Sequence, residues 1–269
     1  FKNLDCDIII SGSDQLWNPL LTGGNLDKVF FCDFDSNVTK ERYSYASSIG
    51  QKSIRPQDEE QIRKYLRNFV EISVREYHSI SELKKYYDGE ITHVLDPTLL
   101  LKQRVYSDLA IEPQYSKPYL LIYQNSFNKE TLKVAKKIAE EKNLQIVEIG
   151  YYKNFPPRFH KQVITAGPRE FLGWYKKADY VVTNTFHGTV FSILFNKDFY
   201  SIPLKGRETR VLSLLEIIGL KNRIVYNYEQ LKEITSINYS TPLKLLEREK
   251  RKSYDYLNKI INLGKLNNK

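Results

Sequence analysis

Residues 178–194 read ADYVVTNTFHGTVFSIL, and this stretch decides how the chain is read. Tyr180-Val181-Val182 is a short run of residues that favour buried strands. Thr183-Asn184-Thr185 turns polar, Phe186-His187-Gly188 follows, and residues 190–195 are apolar enough for a buried helix. Strand, polar turn and helix make half of a βαβ unit, in which the strand's carboxyl end and the helix start face the ligand crevice. A helix start offers unpaired N–H groups and the positive end of the helix dipole, which suit an anion. His187 stands at this junction, and Gly188 allows a ligand or another backbone to come close.

Outward from this stretch the same alternation recurs. Residues 7–11 read as a strand followed by the turn Gly12-Ser13-Asp14-Gln15. Residues 29–34 and 42–46 read as further strands, the latter followed by Ser47-Ser48-Ile49-Gly50. Residues 56–69 read as a charged amphipathic helix, with Pro56 at its start and Ile62, Leu66 and Phe69 on one face. A strand at 71–74 ends in Arg75-Glu76, a helix covers 80–87, and a strand at 92–95 ends in Asp96-Pro97-Thr98. Residues 102–117 lose periodicity and read as a linker. A second series follows: strand 119–124, helix 129–142, strand 145–149, helix 169–177, the opening stretch, strand 199–202, and helix 209–218 closed by Gly219. The last element is a long amphipathic helix over 243–261. Alternating strands and helices predict parallel sheets covered on both faces. Two such series predict two α/β domains facing a cleft, at 1–115 and 116–238, with 239–269 a helix packing back across them.

Composition bounds the function classes. The chain has 269 residues, 41% hydrophobic and 27% charged, which is the balance of a soluble globular protein with a sizeable core. No apolar run approaches a membrane-spanning length, and the expected location is cytoplasmic. Cys6 and Cys32 have no zinc spacing and read as buried thiols in a reducing compartment. The net charge of +9 fits a lysine-rich solvated surface; it also fits anionic substrates or a peripheral contact with the inner face of a membrane. The basic residues are spread out with no nucleic-acid module, so nucleic acid is not expected as a partner. There is no Walker loop, GxGxxG, HExxH or Cys/His zinc pattern, so neither a cofactor nor a metal is expected. The chain opens with Phe1 on a segment leading into a buried strand and contains no methionine, from which a longer protein is expected.

Four strand ends carry polar residues, at 12–15, 47–48, 75–76 and 183–188, and in a doubly wound sheet such ends converge on one crevice. Asp14 suits a cap for its own turn, or a general base held near a substrate hydroxyl. Arg75 suits a two-pronged clamp on phosphate or carboxylate, or an ion pair with Glu76 or another carboxylate. His187 suits proton donation to a leaving phosphate, or a bond to a neighbouring strand. Asp96 reads as a structural turn residue before proline. Lys205, Arg207 and Arg210 form a basic cluster, either for an acidic donor or as a solvated face.

The order ISGSDQLWNP, YSYASSIG, ISVRE, HVLDPTLLL, AGPREFLGWYKKADYVVTNTFHGTVFSILFNKDFY resembles the polysaccharide pyruvyl transferases, from Ile8 to about Leu220. The resemblance implies two Rossmann-like domains in a GT-B-like arrangement, the N-terminal part of the first being missing from this chain. It implies transfer of pyruvate from phosphoenolpyruvate onto two hydroxyls of a sugar or lipid-linked oligosaccharide, giving a cyclic ketal and free phosphate. By motif it carries Asp14 and His187 over as catalytic and Arg75 as donor-binding. Ser13, Gln15, Ser47, Thr185, Gly188 and Thr189 are expected around the substrates, with Lys205, Arg207 and Arg210. Some members have an arginine two residues before the histidine, where this chain has Thr185. A nucleotide-sugar glycosyltransferase and a non-catalytic role in polysaccharide assembly stay open as alternatives. Oligomeric state is not legible.

Overall fold

The computed structural model describes residues 6–34, 40–150 and 160–266. Two α/β units form it: Phe1–Leu100 together with Lys244–Lys269, and Leu101–Leu243. The strands of each unit pair in parallel.

In the first unit β1 (Ile8–Ser11) pairs with β2 (Glu41–Ser44). The helix α1 (Glu59–Leu66) buries Ile62, Tyr65 and Leu66, and leads to β3 (Ile72–Val74). The short helix α2 (His78–Leu83) follows, and β4 (Ile91–His93) pairs with β3. Isolated parallel bridges at Tyr43–Glu71, Asp14–Ser47 and Ser47–Val74 join the two pairs and carry the ladder beyond the strand ends. Between β2 and β3 hydroxyls replace part of the ladder: Ser44 Oγ accepts from Ser73 N–H at 2.9 Å, and Ser73 Oγ accepts from Ala46 N–H at 3.0 Å.

One expected strand is absent. Residues 28–31 form a 3-10 turn, capped by the Asp27 side chain on Val29 N–H and closed by Cys32 at φ 53°. The apolar run there is a core plug: Phe31 stacks on buried Trp17 with ring centres 5.1 Å apart. Short apolar runs do not distinguish these outcomes by pattern alone. Burial pushes the Cys32 thiol up to about 11, so it is an inert core residue, whereas Cys6 is half-buried.

The sequence reading put the division at 115/116 inside a linker, but the structure divides the chain at Leu100/Leu101. Residues 103–109 form α3 (Gln103–Leu109). This segment is tied to α5 (Pro168–Lys177) of the same unit, with Ile111 N–H donating to Arg169 O and Arg169 Nε donating to Leu109 O, both at 2.9 Å.

The second unit holds a five-stranded sheet in the order β7-β6-β5-β8-β9. Its strands are β5 (Tyr119–Tyr123), β6 (Gln145–Ile149), β7 (Lys161–Val163), β8 (Tyr180–Thr183) and β9 (Asp198–Ser201). Every residue of β5 and β8 is buried, as expected of central parallel strands covered on both faces. The helix α4 (Lys129–Lys142) is bounded by local chemistry. The Asn128 side chain accepts from Glu130 and Thr131 N–H, and Asn143 closes the helix in the left-handed region. Its Val134, Ala135, Ile138 and Ala139 face the sheet core. The helix α6 (Phe186–Leu194) joins β8 to β9, and α7 (Thr209–Ile217) packs on α6. The last helix, α8 (Ser240–Leu266), belongs to the first unit from Lys244 onward. There Tyr256 donates to Ser44 O and Ser253 Oγ accepts from Leu95 N–H.

Candidate active site

In the first unit the ladder beyond β1–β4 sets four polar residues in a row. Ser48 N–H donates to Asp14 O, Ser47 N–H to Ser73 O, Arg75 N–H to Ser47 O and Val94 N–H to Val74 O. Asp14, Ser47, Arg75 and Asp96 therefore emerge side by side at the carboxyl ends. Asp14 has φ 88°, a backbone state that a non-glycine residue adopts at a cost of about 1–3 kcal/mol unless its surroundings enforce it. Its carboxylate is 61% exposed, and Oδ1 lies 3.3 Å from Arg75 Nη2.

Arg75 is 4% exposed. Its Nη1 donates to Asp96 Oδ2 at 2.6 Å and its Nε lies 3.4 Å from Glu76 Oε1. Burial alone would push the guanidinium toward losing its proton, but Glu76 and Asp96, with Asp14, outweigh it and hold the charge. This differs from a guanidinium open to a donor anion, because the fork is directed at carboxylates. His93 donates from Nε2 to Arg75 O at 3.1 Å, and burial holds its imidazole below the usual histidine range.

The remaining expected residues of this unit support the turn. Ser13 Oγ lies 3.0 Å from Ala46 O and 3.5 Å from Asp96 Oδ2. Ser47 is fully buried and bonds Gly12 O. Gln15 Oε1 accepts from Asn18 Nδ2 at 3.0 Å. A Cβ on Gly50 would meet both amides, and its φ of 64° lies in the region that favours glycine.

In the second unit α6 begins at Phe186, so His187 lies inside its first turn and not in a loop before it. Thr185 is the N-cap: its Oγ1 accepts from Gly188 N–H at 2.8 Å. Gly188 N–H is thus spent within the protein. The close approach at Gly188 comes from side chains, since a Cβ there would collide with Thr183 Oγ1 and lie 2.6 Å from Thr185 Oγ1. Thr189 is fully buried and bonds Thr185 O and Ser201 Oγ. Thr185, Gly188 and Thr189, expected around the substrate, therefore build the turn.

His187 is half-buried, edge-on to the Phe186 ring at 5.3 Å. The Arg210 guanidinium lies 6.0 Å over the same Phe186 ring, which brings this member of the basic cluster beside the helix start. Lys205 and Arg207 are exposed on the preceding loop. Asn184 is 9% exposed, its Nδ2 donates to Ser126 O at 2.9 Å, and its Oδ1 has no hydrogen-bond partner among the described residues. The sequence reading missed Asn184, and also a buried chain in which Gln124 Nε2 and His160 Nε2 both bond Glu148. Asp96, expected as a turn residue, carries the same sequence signal as Asp14: a polar residue following an apolar strand.

Among the described residues no three metal-ligating side chains are grouped, and no helix is long and apolar enough to cross a membrane.

The chain resembles solved structures of low identity. One is the S. aureus MnaA–UDP co-structure: 11% identity, TM-score 0.48, covering 84% of this chain and 63% of that one. Another is the wall teichoic acid polymerase TagF: 11% identity, TM-score 0.43, covering 86% of this chain and 64% of that one. The chain spans less than two thirds of either. No curated protein matches it. The sequence profile of the polysaccharide pyruvyl transferases matches residues 1–206, and the chain belongs to that family.

Proposed function

We propose that the chain transfers pyruvate from phosphoenolpyruvate to two hydroxyls of a sugar in a cell-surface polysaccharide or its lipid-linked precursor. The observation that carries this reading is Asp14, an exposed carboxylate on a strained residue, tied to a buried guanidinium. Strain of this kind concentrates at functional sites.

Asp14 takes the proton of the first hydroxyl, whose oxygen bonds C2 of the donor. A proton enters the donor's methylene carbon, which becomes the ketal methyl group. The second hydroxyl bonds C2, phosphate leaves with its C–O bond electrons, and the second hydroxyl's proton ends on phosphate. The two hydroxyl hydrogens are thereby accounted for, one in the methyl group and one on phosphate. His187 supplies a proton in one of these steps. Lys205, Arg207 and Arg210 hold the donor's phosphate and carboxylate, the part taken by an arginine in relatives that lack Thr185. No cofactor or metal enters.

The test is incubation with phosphoenolpyruvate and candidate acceptors, following phosphate release and the new ketal methyl resonance. Asp14→Asn and His187→Gln should each lower turnover by 100-fold or more, on the order expected for a lost general base or acid. Wild-type turnover in either variant removes that residue's role. Thermal stabilisation by nucleotide sugars and not by phosphoenolpyruvate would overturn the donor.

A further inference from the structure

We propose that Asp96 is a positioning residue: through Arg75 and Ser13 it fixes where the Asp14 carboxylate sits and how tightly that carboxylate holds a proton. The inference rests on the reading of Asp14 as the base. The two oxygens of Asp96 do different things. Oδ1 accepts from Thr98 N–H at 3.0 Å and from Thr98 Oγ1 at 2.5 Å, which caps the 3-10 turn Pro97–Leu99. Capping needs one oxygen, and serine or asparagine would supply it. Oδ2 meets Arg75 Nη1 at 2.6 Å and faces Ser13 Oγ at 3.5 Å, with the residue 2% exposed. Arg75 then reaches Asp14 through its other terminal nitrogen, at 3.3 Å. Ser13 is the neighbour of Asp14 in the chain, so Asp96 grips the strained turn from two directions.

The charge balance also points away from a purely structural role. Glu76 is fully buried beside Arg75 and already supplies one countercharge. One buried guanidinium between two buried carboxylates, Glu76 and Asp96, carries a negative surplus that folding does not require, since every buried charge adds a desolvation cost. Among the described residues, Glu76, Asp96 and Asp14 meet Arg75, Ser13 and Thr98 meet Asp96, Ser79 meets Glu76, and His93 bonds Arg75 O. Glu249 and Lys252 of α8 act on His93. Removing the Asp96 charge takes away a repulsion on ionised Asp14 and frees part of the Arg75 fork for it. Both changes favour the carboxylate form.

The experiment is a 13C NMR titration of aspartate-labelled protein, with the Asp14 resonance identified by its loss in Asp14→Asn. In Asp96→Asn the Asp14 resonance should titrate about 0.5–1 pH unit lower than in wild type, the size expected of one charge acting through a partly solvated site. Asp96→Ser keeps a capping oxygen and should give the same shift, which covers the case in which Asp96→Asn does not fold. An Asp14 titration that stays at its wild-type position in a folded Asp96 variant overturns the proposal. The titration needs no turnover, so its failure and failure of the transfer assay are read separately.

Discussion

At the carboxyl ends of β1–β4 one buried guanidinium faces three carboxylates, whereas at the end of β8 threonine hydroxyls tie a turn to the start of a helix, beside the Arg210 guanidinium. Both regions arise from the same local event, a buried parallel strand handing the chain to a polar turn. They differ in what the turn residues spend their polar atoms on. The first region keeps Asp14 exposed by burying Arg75 and Asp96 behind it. The second spends Thr185, Gly188 and Thr189 on itself, with His187 half-buried and Lys205 and Arg207 exposed. An acidic end suits activation of a hydroxyl, and a cationic end suits an anionic donor. The contrast separates residues that build a site from residues that act in it.

The largest expected effect tests whether Arg75 is a builder. Arg75→Ala leaves Glu76 and Asp96 buried without a countercharge and should cost about 3–5 kcal/mol, seen as a large fall in melting temperature. Arg207→Ala, at an exposed position, should change stability by less than about 0.5 kcal/mol and abolish stabilisation by phosphoenolpyruvate. If Arg75→Ala melts like wild type and only loses the ligand shift, the guanidinium is a donor clamp and the contrast collapses. Next in size is Gly188→Ala. Its Cβ would drive into two threonine hydroxyls, which should cost about 1–3 kcal/mol by urea denaturation. An unchanged midpoint would mean that the turn is looser than its hydrogen bonds indicate.

Legibility in the sequence followed the range of the interactions. Both α4 and β6 run over the residues expected, because Asn128 and Asn143 cap the helix at its two ends and Ile146, Val147 and Ile149 supply β-branched apolar residues to the strand. The strand expected at 29–34 is not legible as a turn because what decides it is the Trp17–Phe31 stack, a tertiary contact. β7 was missed because it is three residues long, half-exposed and lies at a sheet edge. At the site, Asp14, Arg75 and His187 were legible as polar residues after apolar strands. Their division of labour was not, because the partners of Asp96 lie 21 and 83 residues away in the chain. Thr185 was legible as a cap only with the helix start placed at Phe186; a start at 190 hid it.

Thr185→Ala tests the cap directly and should cost about 1 kcal/mol, with Thr185→Ser close to wild type. If both are equal to wild type, the hydroxyl is free for substrate and belongs with His187.

The smallest effect is also the sharpest test of the contrast, since it is expected to have the opposite sign. Asp14 adopts φ 88°, where glycine rests without strain, and its side chain is largely exposed, so little packing is lost on truncation. Its exposed contact with Arg75 contributes little to folding. Asp14→Gly should therefore raise stability by up to about 1 kcal/mol, while Asp14→Ala, which keeps the Cβ in the strained backbone, should not. Both should lose transfer activity. A gain in stability accompanying a loss of turnover would mean that the strain at Asp14 is retained for the reaction. A loss of stability in Asp14→Gly would instead place Asp14 with Arg75 and Asp96, among the residues that hold the first unit together.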